Sequence, residues 1–113
     1  MLKALKKSNA VIEFSPAGLI LNVNKRFLNL LGYQKEELIG KHHEILLEQG
    51  DPHSSTEFWN GLLEGNFEAG RVKRLHKDKR EIWLQCTYNP IVNPNDEVVK
   101  IIKIAYFPGN APY

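Results

Sequence analysis

The 113-residue sequence has one cysteine, Cys86. A lone cysteine excludes an internal disulfide and any cysteine-built zinc cage, and it suits a reducing cytoplasm, the expected location. Long apolar runs are also missing. The longest are a few residues, too short for a membrane span or the core of a secretory leader. Neither sign of charge dominates: 15 Lys and Arg stand against 13 Asp and Glu, a net charge of +2. Such a balance gives no mandate for nucleic acid or a membrane surface, and neither is expected as a partner. There is no Gly-rich phosphate loop, no His-Glu-x-x-His pair and no phosphoacceptor helix of the kinase type. Neighbouring carboxylates such as Glu36 and Glu37 read as helix-surface charge, so catalysis is not expected. What remains, 42% apolar and 25% charged, is the composition of an ordinary globule with room for one domain.

The order of patterns then sets the fold class. In residues 1–9, Leu2 and Leu5 lie among Lys3, Lys6 and Lys7, which fits a short basic helical lead-in or linker. Val11–Phe14 and Leu19–Val23 are strand-like runs separated by Ser15-Pro-Ala-Gly18, a hairpin signature. From Asn24 the period changes: Phe27, Leu30 and Leu31 form a helical stripe, with Asn24 as N-cap and Gly32 as the stop. A second short helix, Gln34 to Ile39, ends at Gly40. A third apolar cluster, Ile45-Leu46-Leu47, follows His42-His43. After a loop over 48–55, Ser55 and Thr56 open a helix carrying Phe58, Trp59, Leu62 and Leu63. Three strands close the chain: Phe67–Leu75, Glu81–Pro90 and Val98–Tyr106. Helices gathered in the middle of antiparallel strands predict an α+β domain over 10–106, with 107–113 as a tail.

The words Val11-Ile-Glu-Phe14, Gly18-Leu-Ile-Leu-Asn-Val-Asn24, Arg26-Phe-Leu28, Leu31-Gly-Tyr33, Glu36-Glu-Leu-Ile-Gly40, Gly65-Asn-Phe67, Arg74 and Ile82-Trp-Leu-Gln-Cys-Thr-Tyr-Asn-Pro90 resemble, in this order, those of a PAS domain. Gly40-Lys-His-His43 and the Trp-Leu-Gln strand give it the look of the PAS modules of bacterial chemotaxis transducers. The resemblance implies a five-stranded antiparallel sheet with several short helices over one face. It also implies a ligand or cofactor pocket between the two layers, a homodimer, and relay to a downstream signalling domain. The usual Asp-X-Thr exit after the last strand is replaced by Tyr106-Phe-Pro-Gly-Asn-Ala-Pro-Tyr113, whose prolines oppose a continuous exit helix.

Pleat parity on the strand 82–90 puts Ile82, Leu84, Cys86 and Tyr88 on one face, and Trp83, Gln85, Thr87 and Asn89 on the other. With the helical stripes, this predicts a pocket lined by Phe27, Leu31, Leu46, Leu62, Leu84, Cys86 and Tyr88. Trp83, Gln85 and Thr87 become a dimer or relay surface, the indole serving as anchor or lying under the N-terminal segment.

The cofactor stays open. Neutral imidazole ligates haem iron, and the resemblance implies that His42 or His43 would do so in a haem gas or redox sensor. The bland alternative is a cap and a surface histidine. Flavin ranks below haem, since Cys86 is mid-strand and the photoadduct word Asn-Cys-Arg-Phe-Leu-Gln of light-sensing relatives is absent; Cys86 reads as a small core residue. A ligand-free dimerisation module is the remaining alternative. His53 and His76 read as solvated loop residues. The run Arg71–Arg80, with six Lys or Arg in ten residues, reads as a solvated hairpin edge guarded by charge. Lys103 is ambiguous in facing; turned inward, its ammonium requires an anionic partner such as a ligand carboxylate or a haem propionate.

Overall fold

The computed structural model describes residues 9–108. The helical lead-in expected over 1–9 therefore lies outside the described residues except for Asn9, and so does the tail beyond Pro108. The strands are β1 (Ala10–Phe14), β2 (Ile20–Val23), β3 (Glu68–Leu75), β4 (Glu81–Val92) and β5 (Val98–Tyr106). They form one antiparallel sheet in the order β2-β1-β5-β4-β3. Between β2 and β3 lie α1 (Lys25–Leu31), α2 (Lys35–Leu38) and α3 (Thr56–Leu63), with 3-10 turns at His43–Leu46 and Pro52–Ser54. The α+β architecture expected from the sequence is the one observed.

Local chemistry explains the element ends. The Asn24 side chain accepts from Phe27 N at 3.0 Å to cap α1 and from Val11 N at 3.0 Å, tying that helix to β1. Gly32 closes α1 in the left-handed region, φ 81°. The hairpin between β1 and β2 turns on Gly18, φ 86°, where a Cβ would stand 2.8 Å from His42 Nε2. Backbone bonds from Ile20 N to Lys41 O and from Gly40 N to Ile20 O, both 2.8 Å, lay residues 40–43 along the outer edge of β2. That cover protects an otherwise open strand edge and delivers His42 and His43 to the hairpin.

The core joins the helices to one sheet face. Phe27 and Leu31 of α1, Leu38 of α2, Leu46, and Leu62 of α3 pack against Ile12, Phe14, Val72, Leu84, Cys86, Tyr88 and Ile101. Each fully buried leucine of this kind stabilises by roughly 1.5–3 kcal/mol before entropy is counted. Two features of the basic run 71–80 differ from a solvated edge. Arg74 is 1% exposed, on the same inward face as Val72. His76 lies against α1's end, so close that a Cβ on Gly32 would meet its ring at 2.3 Å, and its Nδ1 accepts from Asp78 N at 3.1 Å. Strand parity draws Arg74 in, and the side-chain-free Gly32 leaves the seat for His76.

Candidate functional site

The inner face carries a polar hub within the apolar core. Arg74 Nη1 donates to Asp51 Oδ2 at 3.3 Å and to Lys73 O at 2.6 Å. Its Nη2 donates to Tyr88 Oη at 2.8 Å and to His53 Nδ1 at 2.9 Å. The remaining donor, Nε, is buried without a partner. Asp51 is held in place because its Oδ1 accepts from His53 N at 2.8 Å, capping the turn Pro52–Ser54. One carboxylate thus orders the loop and partly neutralises the guanidinium, a charge-assisted arrangement stronger than a neutral bond.

Helix α3 then fixes two imidazoles with adjacent aromatic rings. Phe58 stacks on His53 with centroids 3.8 Å apart and planes 11° apart, while Tyr88 meets both rings edge-on. Trp59 stacks on His43 at 4.5 Å and 11°, Phe14 approaches that imidazole edge-on at 6.0 Å, and Trp59 Nε1 donates to Pro16 O at 2.7 Å. Burial, followed by the charge of Arg74, holds the His53 pKa down at about 4. Burial, followed by the neighbouring His42, does the same for His43. Both rings are therefore neutral near pH 7, leaving His53 Nδ1 free to accept the hydrogen bond that Arg74 Nη2 donates. The expectation that His53 is a solvated loop residue is corrected: the 3-10 turn folds it inward under α3.

Lys103 also faces inward. Its β5 position pairs with Ile12 on one side and Tyr88 on the other. The residue is 2% exposed, and its Nζ lies 4.9 Å from the Tyr88 ring centroid. Cys86 is buried on β4 with its thiol pushed up by desolvation, which disfavours the reactive thiolate.

Among the residues expected to line a pocket, Phe27, Leu31, Leu46, Leu62, Leu84, Cys86 and Tyr88 all belong to the one buried cluster, and His43 is buried beside Phe14. His42 is not brought in. Its side chain is 43% exposed, and its Nδ1 accepts from Glu44 N at 3.3 Å as the cap of the turn His43–Leu46. The backbone at His42 is extended rather than helical, and the two imidazoles stay in contact with centroids 4.4 Å apart, His43 buried and His42 toward solvent. Trp83 lies on the outer face, 45% exposed, with the Arg71 guanidinium 5.6 Å above its ring; Gln85 and Thr87 are half-buried on the same face. Arg74 was noted in the sequence without this role, and Asp51 and Trp59 carried no expectation of a site. Parity with Val72 was the available signal for Arg74, whereas no spacing rule marks Asp51, 23 residues away.

These residues do not fit a haem in this arrangement. His43 has the required neutral form, but its ring is stacked on Trp59 beside Phe14. Phe27, Leu31, Leu62 and Leu84, which would have to part for a macrocycle, are packed into a single cluster. Among the described residues no group of His, Cys, Asp or Glu is arranged to hold a metal ion. A groove of about 490 Å³ reaches the hub from the free edge of β3. It is lined by Asp51, His53, Val72, Arg74 and Trp83 together with Glu48 and Lys73.

A five-stranded antiparallel sheet with helices over one face and a polar hub between the layers defines a two-layer α+β domain. The family model for the PAS domain matches residues 8–106, and the chain belongs to that family. It is 38% identical over 106 residues to the Biofilm dispersion protein BdlA of Pseudomonas aeruginosa, covering 92% of this chain and 25% of that protein. It is 29% identical over 84 residues to Phototropin-1A of Oryza sativa subsp. japonica, covering 74% of this chain and 9% of that one. The chain thus spans a quarter or less of these relatives' length. Among solved structures, the PAS domain of a Colwellia psychrerythraea protein superposes with a TM-score of 0.81 at 28% identity, over 93% of this chain and 91% of that one. A light-oxygen-voltage domain studied with a flavin analogue superposes with a TM-score of 0.81 at 20% identity, over 96% and 84%; that likeness is one of fold.

Proposed function

We propose that the chain is the sensory module of a larger signalling protein. It binds a small ligand between the helices and the inner sheet face, and it relays the state to an attached effector through a homodimer formed on the outer face around Trp83, Gln85 and Thr87. The observation that carries this reading is the hub of Arg74, Asp51, His53 and Tyr88. A core selected for stability alone is better served by apolar residues, since buried ion pairs add little net stability over them. Polar residues that break the local rule are characteristic of functional sites. The groove at β3 supplies an approach from solvent to Asp51, His53 and Arg74 of this hub.

The relay surface rests on parity. Tyr88 faces the hub while Thr87 and Asn89 face outward, so a shift of β4 at the ligand moves both faces together. Native mass spectrometry of the purified domain, with an absorption spectrum of the same sample from 300 to 700 nm, tests the reading. The expected result is a small molecule retained non-covalently, released on denaturation and lost from Arg74→Met. A domain that retains nothing and is stabilised by no member of a metabolite panel would leave only the pairing role.

A further inference from the structure

The hub leaves one charge without a counterpart. Lys103 lies on the central strand β5, and among the described residues its Nζ has no hydrogen bond and no ion pair; its one polar contact is the face of Tyr88. The acids that neutralise other cations are committed elsewhere. Asp51 serves Arg74, Glu48 and Glu81 serve Lys73, and Glu13 serves Lys100 at 3.0 Å. His43 and His53, which feel the charge of both buried cations, are neutral near pH 7 and supply no counter-charge. Two cations, Lys103 and Arg74, therefore meet Tyr88, one over its ring and one on its hydroxyl, and the one carboxylate paired with either of them, Asp51, is on Arg74. Arg74 adds a second unspent donor, its buried Nε. Burying an ammonium without an anion is strongly unfavourable, and unspent buried donors add to that penalty.

We propose that the ligand held on this face is an organic carboxylate with an apolar body, its acid group seated on Lys103 Nζ beside Tyr88 and Arg74. The body would lie toward Val72 and Pro52, the apolar lining of the groove, because Leu62 and Leu84 are already packed against one another's neighbours in the core. Entry is by the groove at the β3 edge, which Arg71 and the buried Arg74 both line, so an approaching anion meets positive charge. The proposal rests on the ligand-binding reading above and narrows it to one chemical class.

Calorimetric titration of the purified domain with straight-chain monocarboxylates of four to eight carbons, their primary amides, inorganic phosphate and haemin tests it. The expected result is that a carboxylate binds at least about tenfold more tightly than its amide, and that Lys103→Met or Lys103→Gln removes that preference. Lys103→Met should also melt no lower than the natural sequence, because a lone buried cation has been exchanged for an apolar side chain of similar length. Binding of haemin alone overturns the assignment, because the packed cluster has no room for a macrocycle. Amides that bind as tightly as the acids overturn the anionic class and leave the ligand-binding reading standing. Phosphate binding more tightly than any carboxylate overturns the assignment, and so does a melting temperature lowered by both Lys103 variants. Failure of every probe to bind overturns this proposal, and the retained-ligand experiment then decides the broader one independently.

Discussion

Arg74 and Lys103 are both buried cations, but their surroundings predict opposite responses to removal. Arg74→Met strips partners from Asp51, His53 and Tyr88 at once. Breaking a satisfied buried network in this way should cost about 2–4 kcal/mol, read as a lower urea midpoint. Lys103→Met strands no hydrogen-bond partner, so its effect should be neutral or stabilising. The two histidines add a pH dependence whose sign is fixed. Their pKa values fall to about 4 in the fold from 6.5, so between those limits the unfolded chain binds more protons. Stability is complete above about pH 6.5 and declines as pH falls toward 4, by roughly 1–2 kcal/mol per ring after allowing for partial solvent access. Urea midpoints at pH 7.5 and 4.5 check this, and His43→Phe should reduce the difference between them.

At the scale of elements, the helix ends and strands were legible because their signals are local. The change of period at Asn24, its cap, the stop at Gly32 and the alternation along β4 each lie within a few residues of what they specify. The hub was not legible, since Arg74 meets partners 14, 21 and 23 residues away. Lys103 escaped parity because β5 is apolar on both faces; only its pairing with Ile12 and Tyr88 orients it. The two glycines that end α1 and follow α2 separate backbone strain from contact. Gly32 and Gly40 share a left-handed φ, 81° and 84°, but a Cβ at Gly32 meets His76 and one at Gly40 meets nothing. Gly40→Ala should therefore cost about 1 kcal/mol, the conformational penalty alone. Gly32→Ala should cost at least about 1 kcal/mol more and free the His76 ring, visible as a changed histidine resonance. Ser55, whose hydroxyl accepts from Phe58 N at 3.1 Å, caps α3. Ser55→Ala should cost about 1 kcal/mol and loosen the helix that holds both imidazoles.

For the molecule as a whole, the strand order places the ligand face and the relay face back to back across β4 and β5. Lys103 and Tyr88 face inward as a cross-strand pair, and the next pair, Ile104 and Thr87, faces outward. Trp83 and Tyr106 are exposed on that outer side at the far end of the same two strands. A ligand seated on Lys103 cannot shift β5 without carrying the outer residues with it, since sheet hydrogen bonds leave little freedom between neighbouring strands. Amide exchange across 82–92 and 98–106 should therefore slow when a binding carboxylate is added. Lys103→Gln should abolish the slowing although the sheet itself stays folded. If the outer face pairs two copies, Gln85→Lys, outside the groove lining, should shift sedimentation toward the monomer and leave carboxylate affinity within about twofold of the natural sequence. Slowed exchange at the hub with unchanged exchange at Thr87, Ile104 and Tyr106 would confine the ligand's effect to its own pocket and remove β4 and β5 as the route of the signal.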